Sequence, residues 1–358
     1  MDAKPHRRAL LSPIHWFVVG LVSLGLAFLF NLNFRIPHYW GGSRGVRAVY
    51  GDRAEITVKA LRQDFNRTDL IILGSSSIQL GFHNEQILSN MLFEQTGEQK
   101  TFCKITAAAL TYPEMLFVLR QAKIQKNQLY FIFVTPSVFV RDMVQVERHI
   151  TLWPVYLDNE AFFSRYGEQL PGIRKLSEQN FTGIRRLYSY NRTRVIWMFS
   201  LIHEWTQRRL YGIRPENDDE DFYHRNNKYG SSRIEDIISW EIRDIRKKME
   251  AYYRKDVDTL QFFLSEILTR IQSAGSDAVL VEYPNILQKG HLTEWQGDYQ
   301  SRISEISRRF NIPYYNLNDE TDLVMDDFAH TAHMNKKGRD KWSRFFIQWL
   351  AESKLYDR

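Results

Sequence analysis

The sequence predicts an α/β protein built on a doubly wound, mostly parallel sheet, with an N-terminal transmembrane helix and a helical insertion. Three observations carry that reading. Short apolar runs at 70–73, 129–135 and 278–283 alternate with segments of helical periodicity, the rhythm of strands buried on both faces. Residues 14–30 hold no charged side chain. Between 149 and 246 the strand–helix alternation stops.

Composition bounds the class of protein. Hydrophobic content of 44% with 25% charged residues excludes a disordered chain. The net charge of +6 favours an anionic neighbour, but no basic run accompanies a nucleic-acid-binding motif, so no nucleic acid is expected. Cys103 is the single cysteine, which excludes an internal disulfide framework and cysteine-rich metal sites. No cofactor is expected.

Taken in order, the chain begins with a segment that, extended over 9–32, is long enough to cross a bilayer as a helix. Lys4, Arg7 and Arg8 precede it, as expected for a cytoplasmic N-terminus, although Arg35, Arg44 and Arg47 follow closely. A cleaved signal peptide competes with this reading. The apolar run is longer than a usual signal core and no small-x-small site follows, so an uncleaved anchor over 1–34 is expected, with the rest outside the cytoplasmic membrane.

The first part of the α/β domain is expected over 35–148. A Gly- and Pro-bearing linker leads to a helix at 55–65, the strand at 69–73, and a turn of Gly74, Ser75, Ser76 and Ser77. A helix over 82–96, a strand over 100–109, a helix over 112–123 and the strand at 129–135 follow. Pro113 and Glu114 mark the first turn of the helix at 112–123.

The insertion over 149–246 is rich in aromatics and arginine, and helices are expected at 172–187, 190–211 and 233–254. Arg174, Arg185, Arg192 and Arg208 interleave with Trp197 and Trp205. This is either a solvated surface around an aromatic core or a face for anionic lipid headgroups or glycan. The second part of the domain, over 247–358, resumes the rhythm. It comprises a helix at 258–273, the strand at 278–283, a helix at 296–310, a short strand at 312–317 and a closing helix at 342–354.

Two stretches carry chemistry. A strand that ends in Gly and three serines delivers a small nucleophile to the carboxyl edge of the sheet, where ligands of open α/β folds bind. The competing view is a polar turn that caps the next helix. Near the C-terminus, Asp326, Asp327, His330 and His333 lie within eight positions of one another in a polar loop, more acid and imidazole than packing requires. Serine is a poor nucleophile until a base takes its proton, and that base is usually oriented by a carboxylate. A metal site at His330 and His333 is a third possibility for the loop.

Gly74-Ser75-Ser76-Ser77 after an apolar strand, with His333-x-Asn335-x-x-Gly338 near the end, resembles the SGNH/GDSL hydrolase superfamily. More narrowly, it is similar to the membrane-anchored branch that includes proteins of lipoteichoic-acid D-alanylation and exopolysaccharide O-acetylation. The resemblance implies an SGNH/flavodoxin-like sheet and a serine esterase or O-acyltransferase. An acylated envelope glycan or lipid would be the substrate, with a multispanning membrane acyltransferase as a neighbour in the bilayer. It also implies Ser76 as nucleophile and His333 as general base. The carboxylate stays open between Asp327 and Asp326, because His330 stands three residues before His333 where the family carries Asp. An Asp327–His330 pair is the other arrangement. The implied oxyanion donors are the backbone N–H groups of Ser76 and Ala109, Ala109 standing where the family has glycine. The family's asparagine after the third strand is missing around Thr135-Pro136-Ser137. A catalytically degenerate scaffold or binding subunit of an acylation complex is the alternative.

Overall fold

The computed structural model describes Arg53, Ile56, Lys59 and residues 64–107, 109–136, 159–170, 234–286, 293–330 and 332–357. The expected anchor over 1–34, the linker, and the expected insertion helices at 172–187 and 190–211 lie outside the described residues. Among the described residues, no helix is long and apolar enough to cross a membrane. All of them belong to one compact unit, Arg47–Arg358.

Five strands form a single parallel sheet: β1 (Leu70–Gly74), β2 (Phe102–Thr106), β3 (Leu129–Val134), β4 (Asp277–Glu282) and β5 (Tyr314–Asn316). Their spatial order is β2-β1-β3-β4-β5. This is one of the two common orders of doubly wound α/β sheets. In it the chain starts at β1, steps one way to β2, and returns past β1 to β3. The strand order therefore reverses around the carboxyl end of β1.

Why these runs form strands is clear from their packing. Side chains alternate between faces with a period of two, so a strand covered on both sides must be apolar at nearly every position. Ile71, Leu73, Tyr130, Ile132, Val134 and Leu280 enter one core, and Leu70, Ile72, Phe131, Phe133, Val279 and Val281 enter the other. Each such side chain contributes about 1.5–3 kcal/mol when fully buried.

Helices cover both faces. On the first lie α3 (Tyr112–Gln121), α6 (Arg254–Ser273) and α7 (Thr293–Phe310), burying Met115, Leu119, Phe263, Ile267 and Ile303. On the second lie α1 (Ser76–Gly81), α2 (Glu85–Thr96) and α8 (Lys336–Ser353), burying Ile78, Leu88, Leu92, Trp342 and Phe346. The helix expected over 82–96 begins only at Glu85, because the Asn84 side chain caps it by accepting the Ile87 N–H. The closing helix starts earlier than its apolar periodicity shows, since Asn335 caps it seven residues before Trp342. The second strand is shorter than expected and stops at Thr106.

Parts of the expected insertion join the main core. The short helix α4 (Asn159–Tyr166) places Phe162 and Tyr166 among the side chains of the first face. Helix α5 (Ile234–Lys248) continues through a π turn, Met249–Tyr253, directly into α6. The expected break between helices near residue 255 is thus a change of helical hydrogen bonding within one run. Helix α5 also packs against β6 (Phe328–His330), which forms an antiparallel hairpin with β7 (His333–Met334).

Candidate active site

The serine turn is a sharp strand-to-helix reversal. A Cβ on Gly74 would lie 2.2 Å from the Ile78 side chain, so only glycine lets β1 turn this tightly into α1. Ser75 occupies the N-cap position of α1, with extended backbone angles, but its side chain makes no capping bond. Ser75 and Ser77 are buried, while Ser76, the first residue of the helix, is half-buried. As the first helical residue, Ser76 has a backbone N–H with no acceptor within the helix. The turn sits where the strand order reverses, the crevice position typical of ligand sites in such sheets.

Opposite stands the hairpin of β6 and β7. Phe328 and Met334 pair across it and are both buried in the second core, which fixes the hairpin against the sheet. His330 pairs with His333 with a shift in register. Strand β7 packs on α1. The outcome is a contact between residues 257 positions apart: His333 Nε2 lies 2.9 Å from Ser76 Oγ. With the ring proton on Nδ1, Nε2 accepts the serine hydroxyl, the geometry of a general base and its nucleophile.

The His333-x-Asn335-x-x-Gly338 spacing has a physical explanation. The Asn335 side-chain oxygen accepts the Gly338 N–H at 3.0 Å and caps α8. Its amide donates to the Asp326 carbonyl at 2.7 Å, and its backbone N–H to the Asp327 carbonyl at 3.0 Å. Gly338 is required because a Cβ there would lie 2.0 Å from that Asp327 carbonyl oxygen. One asparagine and one glycine thus lock the chain on both sides of the hairpin to the start of α8.

The carboxylates take different places. Asp327 is fully buried, and its carboxylate accepts the Val324 N–H at 3.0 Å and Lys341 Nζ at 2.9 Å. Lys337 Nζ lies 3.3 Å from its other oxygen. Burial pushes the Asp327 pKa up, but the Val324 N–H, Lys341 and Lys337 outweigh it and hold the acid below the usual aspartate range. Two of its three polar partners, Lys337 and Lys341, lie on α8, and the His333 imidazole is not among the three. Asp326 has an exposed side chain and enters the network through its carbonyl. The His330 side chain, and with it the expected Asp327–His330 pair, lies outside what is described. Among the described residues, no cluster of three or more His, Cys, Asp or Glu side chains could hold a metal ion.

The second proposed oxyanion donor sits in the turn after β2. Ala109 has φ +55°, the left-handed region that favours glycine, and the Leu110 N–H bonds the Ala107 carbonyl across the turn. Thr106 and Gly74 are register partners on adjacent parallel strands, so the Ala109 turn and Ser76 rise from the same sheet edge. After β3, Thr135 is buried and Pro136 has no N–H to offer.

Sequence reasoning did not single out Lys337 or Lys341, because nothing local ties them to Asp327. The ion pair of Arg53 with Glu114 is fully buried, and its one legible sign was the Thr111-x-x-Glu114 spacing of a capping box. No protein-family model and no curated protein matches the chain.

Proposed function

We propose that the chain is a membrane-anchored SGNH-type serine esterase or O-acyltransferase acting on an acylated envelope glycan or lipid. The observation that supports it most is the 2.9 Å contact between Ser76 Oγ and His333 Nε2 at the strand-order switch point. In the proposed reaction Ser76 Oγ attacks the ester carbonyl while its proton passes to His333 Nε2. The tetrahedral oxyanion is held by the N–H groups of Ser76 and Ala109. Collapse breaks the ester C–O bond, His333 returns the proton to the leaving alkoxide, and an acyl-Ser76 ester remains. A second hydroxyl, from water or from a glycan, then repeats the steps in reverse and takes the acyl group. The anchor would hold this site at the outer face of the cytoplasmic membrane, beside a multispanning acyltransferase.

A second reading, a catalytically degenerate scaffold or binding subunit of such a complex, draws on two features. The Asp327 carboxylate is engaged by Val324, Lys337 and Lys341, and Pro136 cannot donate a hydrogen bond at the third oxyanion position. Loss of one oxyanion donor lowers rates by about 10²–10³-fold. A fluorophosphonate probe separates the readings. The esterase reading expects covalent labelling of the folded protein that disappears in Ser76→Ala and falls steeply in His333→Ala. Folded wild-type protein that stays unlabelled points to the scaffold.

A further inference from the structure

Two residues beyond Ala109, the chain meets a network larger than a helix cap requires. Glu114, in the first turn of α3, accepts the Thr111 N–H at 3.1 Å and the Thr111 hydroxyl at 3.0 Å on one carboxylate oxygen. The other oxygen accepts Arg53 Nε at 2.9 Å and Arg53 Nη2 at 2.7 Å. Both side chains of the Arg53–Glu114 pair have zero solvent exposure, and Thr111 is buried beside them. A capping interaction stabilises a helix by about 1 kcal/mol and needs no buried arginine. Taking an ion pair out of water is costly unless every polar group finds a partner, and replacing such a pair with apolar groups is often harmless to stability. Stability alone is therefore a weak reason for this arrangement.

Its place in the fold supplies a stronger one. Ala109 is held at φ +55°, a conformation that disfavours any residue with a Cβ by roughly 1–2 kcal/mol, so its surroundings must impose it. One side of the turn is fixed by β2 and by the bond from Leu110 N–H to the Ala107 carbonyl. The other side is fixed where Glu114 grips the backbone and side chain of Thr111, and Glu114 is itself held by Arg53. We infer that the buried Arg53–Glu114–Thr111 network is a positioning device that holds the Ala109 turn in the left-handed conformation that aims its N–H at the oxyanion of the Ser76 reaction. Arg53, Glu114 and Thr111 act through Ala109 and touch no substrate. The inference rests on the esterase reading.

The test uses the full chain in detergent, with p-nitrophenyl acetate hydrolysis and the second-order rate of fluorophosphonate labelling as readouts. The double variant R53M/E114Q removes both charges at once and leaves no buried charge unpaired. It is expected to fold, to lower kcat and the labelling rate by roughly 10–100-fold, and to leave KM within about twofold, since a donor misplaced by about 1 Å weakens the transition state rather than binding. Adding A109G should recover at least a third of the lost rate on a logarithmic scale, because glycine adopts the left-handed turn without being forced. A merely structural network predicts no such rescue. Wild type labelled at Ser76 with R53M/E114Q equally fast, or slow but not rescued by A109G, overturns the inference and leaves the esterase reading standing. Wild type without Ser76 labelling removes both. Should R53M/E114Q fail to fold, T111V carries the test. It removes the side-chain contacts of Thr111 with Glu114 and leaves the bond from its backbone N–H, and is expected to slow labelling by roughly 3–10-fold; an unchanged rate overturns the inference.

Discussion

Gly338→Ala tests the architecture of the site most directly. The added Cβ would stand 2.0 Å from the Asp327 carbonyl oxygen, 2.9 Å from its carbonyl carbon and 3.1 Å from its Cβ. The first separation is roughly 1.4 Å short of ordinary contact, and two of these three atoms are backbone, so no side-chain rotation relieves it. The Asp327 peptide cannot retreat freely, because its carbonyl accepts the Asn335 N–H and its carboxylate is tied to Val324 and Lys341. The hairpin that begins at Phe328 must therefore move relative to α8. Overpacking of this kind lowers stability by about 1–3 kcal/mol. A displacement of about 1 Å at His333 would break its 2.9 Å contact with Ser76 and lower the chemical rate by about 100-fold. Thermal unfolding and the labelling rate of Ser76 measure the two effects. A variant with the wild-type midpoint and the wild-type labelling rate would refute the claim that Gly338 holds the hairpin in place.

Three further outcomes are expected. Asp327→Asn should lower the unfolding midpoint at neutral pH. Because folding depresses the Asp327 pKa, the stability tied to its charge is fully present above the ordinary aspartate pKa of about 3.9 and is lost as pH falls through the folded value. The gap between wild type and variant should therefore be constant from about pH 5 to 7 and close below about pH 4, and a gap that widens in acid would count against the assignment. Trp342→Ala removes a fully buried indole that meets Phe82 at 5.7 Å and Tyr283 at 5.5 Å between ring centroids, and should destabilise by about 3–5 kcal/mol in urea titration. Topology can be read with Gln95→Cys, an exposed position in a chain whose native Cys103 is buried. A membrane-impermeant maleimide should label it in intact cells, and labelling only after lysis would contradict an extracytoplasmic domain.

Much of the fold was legible because burial on both faces leaves a strong local mark. Strands β1, β3 and β4 appear as apolar runs closed by glycine or proline, and α6 as a long amphipathic repeat. Boundaries were less legible where capping decides them. Asn84 and Asn335 start helices by accepting a backbone N–H, and the apolar pattern registers only later in each element. In sequence the hairpin of β6 and β7 is indistinguishable from a polar loop, since two short strands of three and two residues have no periodicity to detect.

Sequence by itself determined the order of the five sheet strands and the helices between them, the serine turn after β1, and the acid and imidazole side chains before the last helix. It also placed glycine at two positions with no room for a Cβ, Gly74 against the Ile78 side chain and Gly338 against the Asp327 backbone. The resemblance singles out Ser76 and His333, but only the tertiary structure brings the two side chains together, because their contact depends on how α1 leaves the strand and how β7 packs upon it. It likewise decided that the Asp327 carboxylate meets Lys337 and Lys341, and that Arg53 reaches Glu114 across 61 positions. Contacts of that kind join residues far apart in the chain. They are written in packing and mutual burial, for which neighbouring residues carry no local signal.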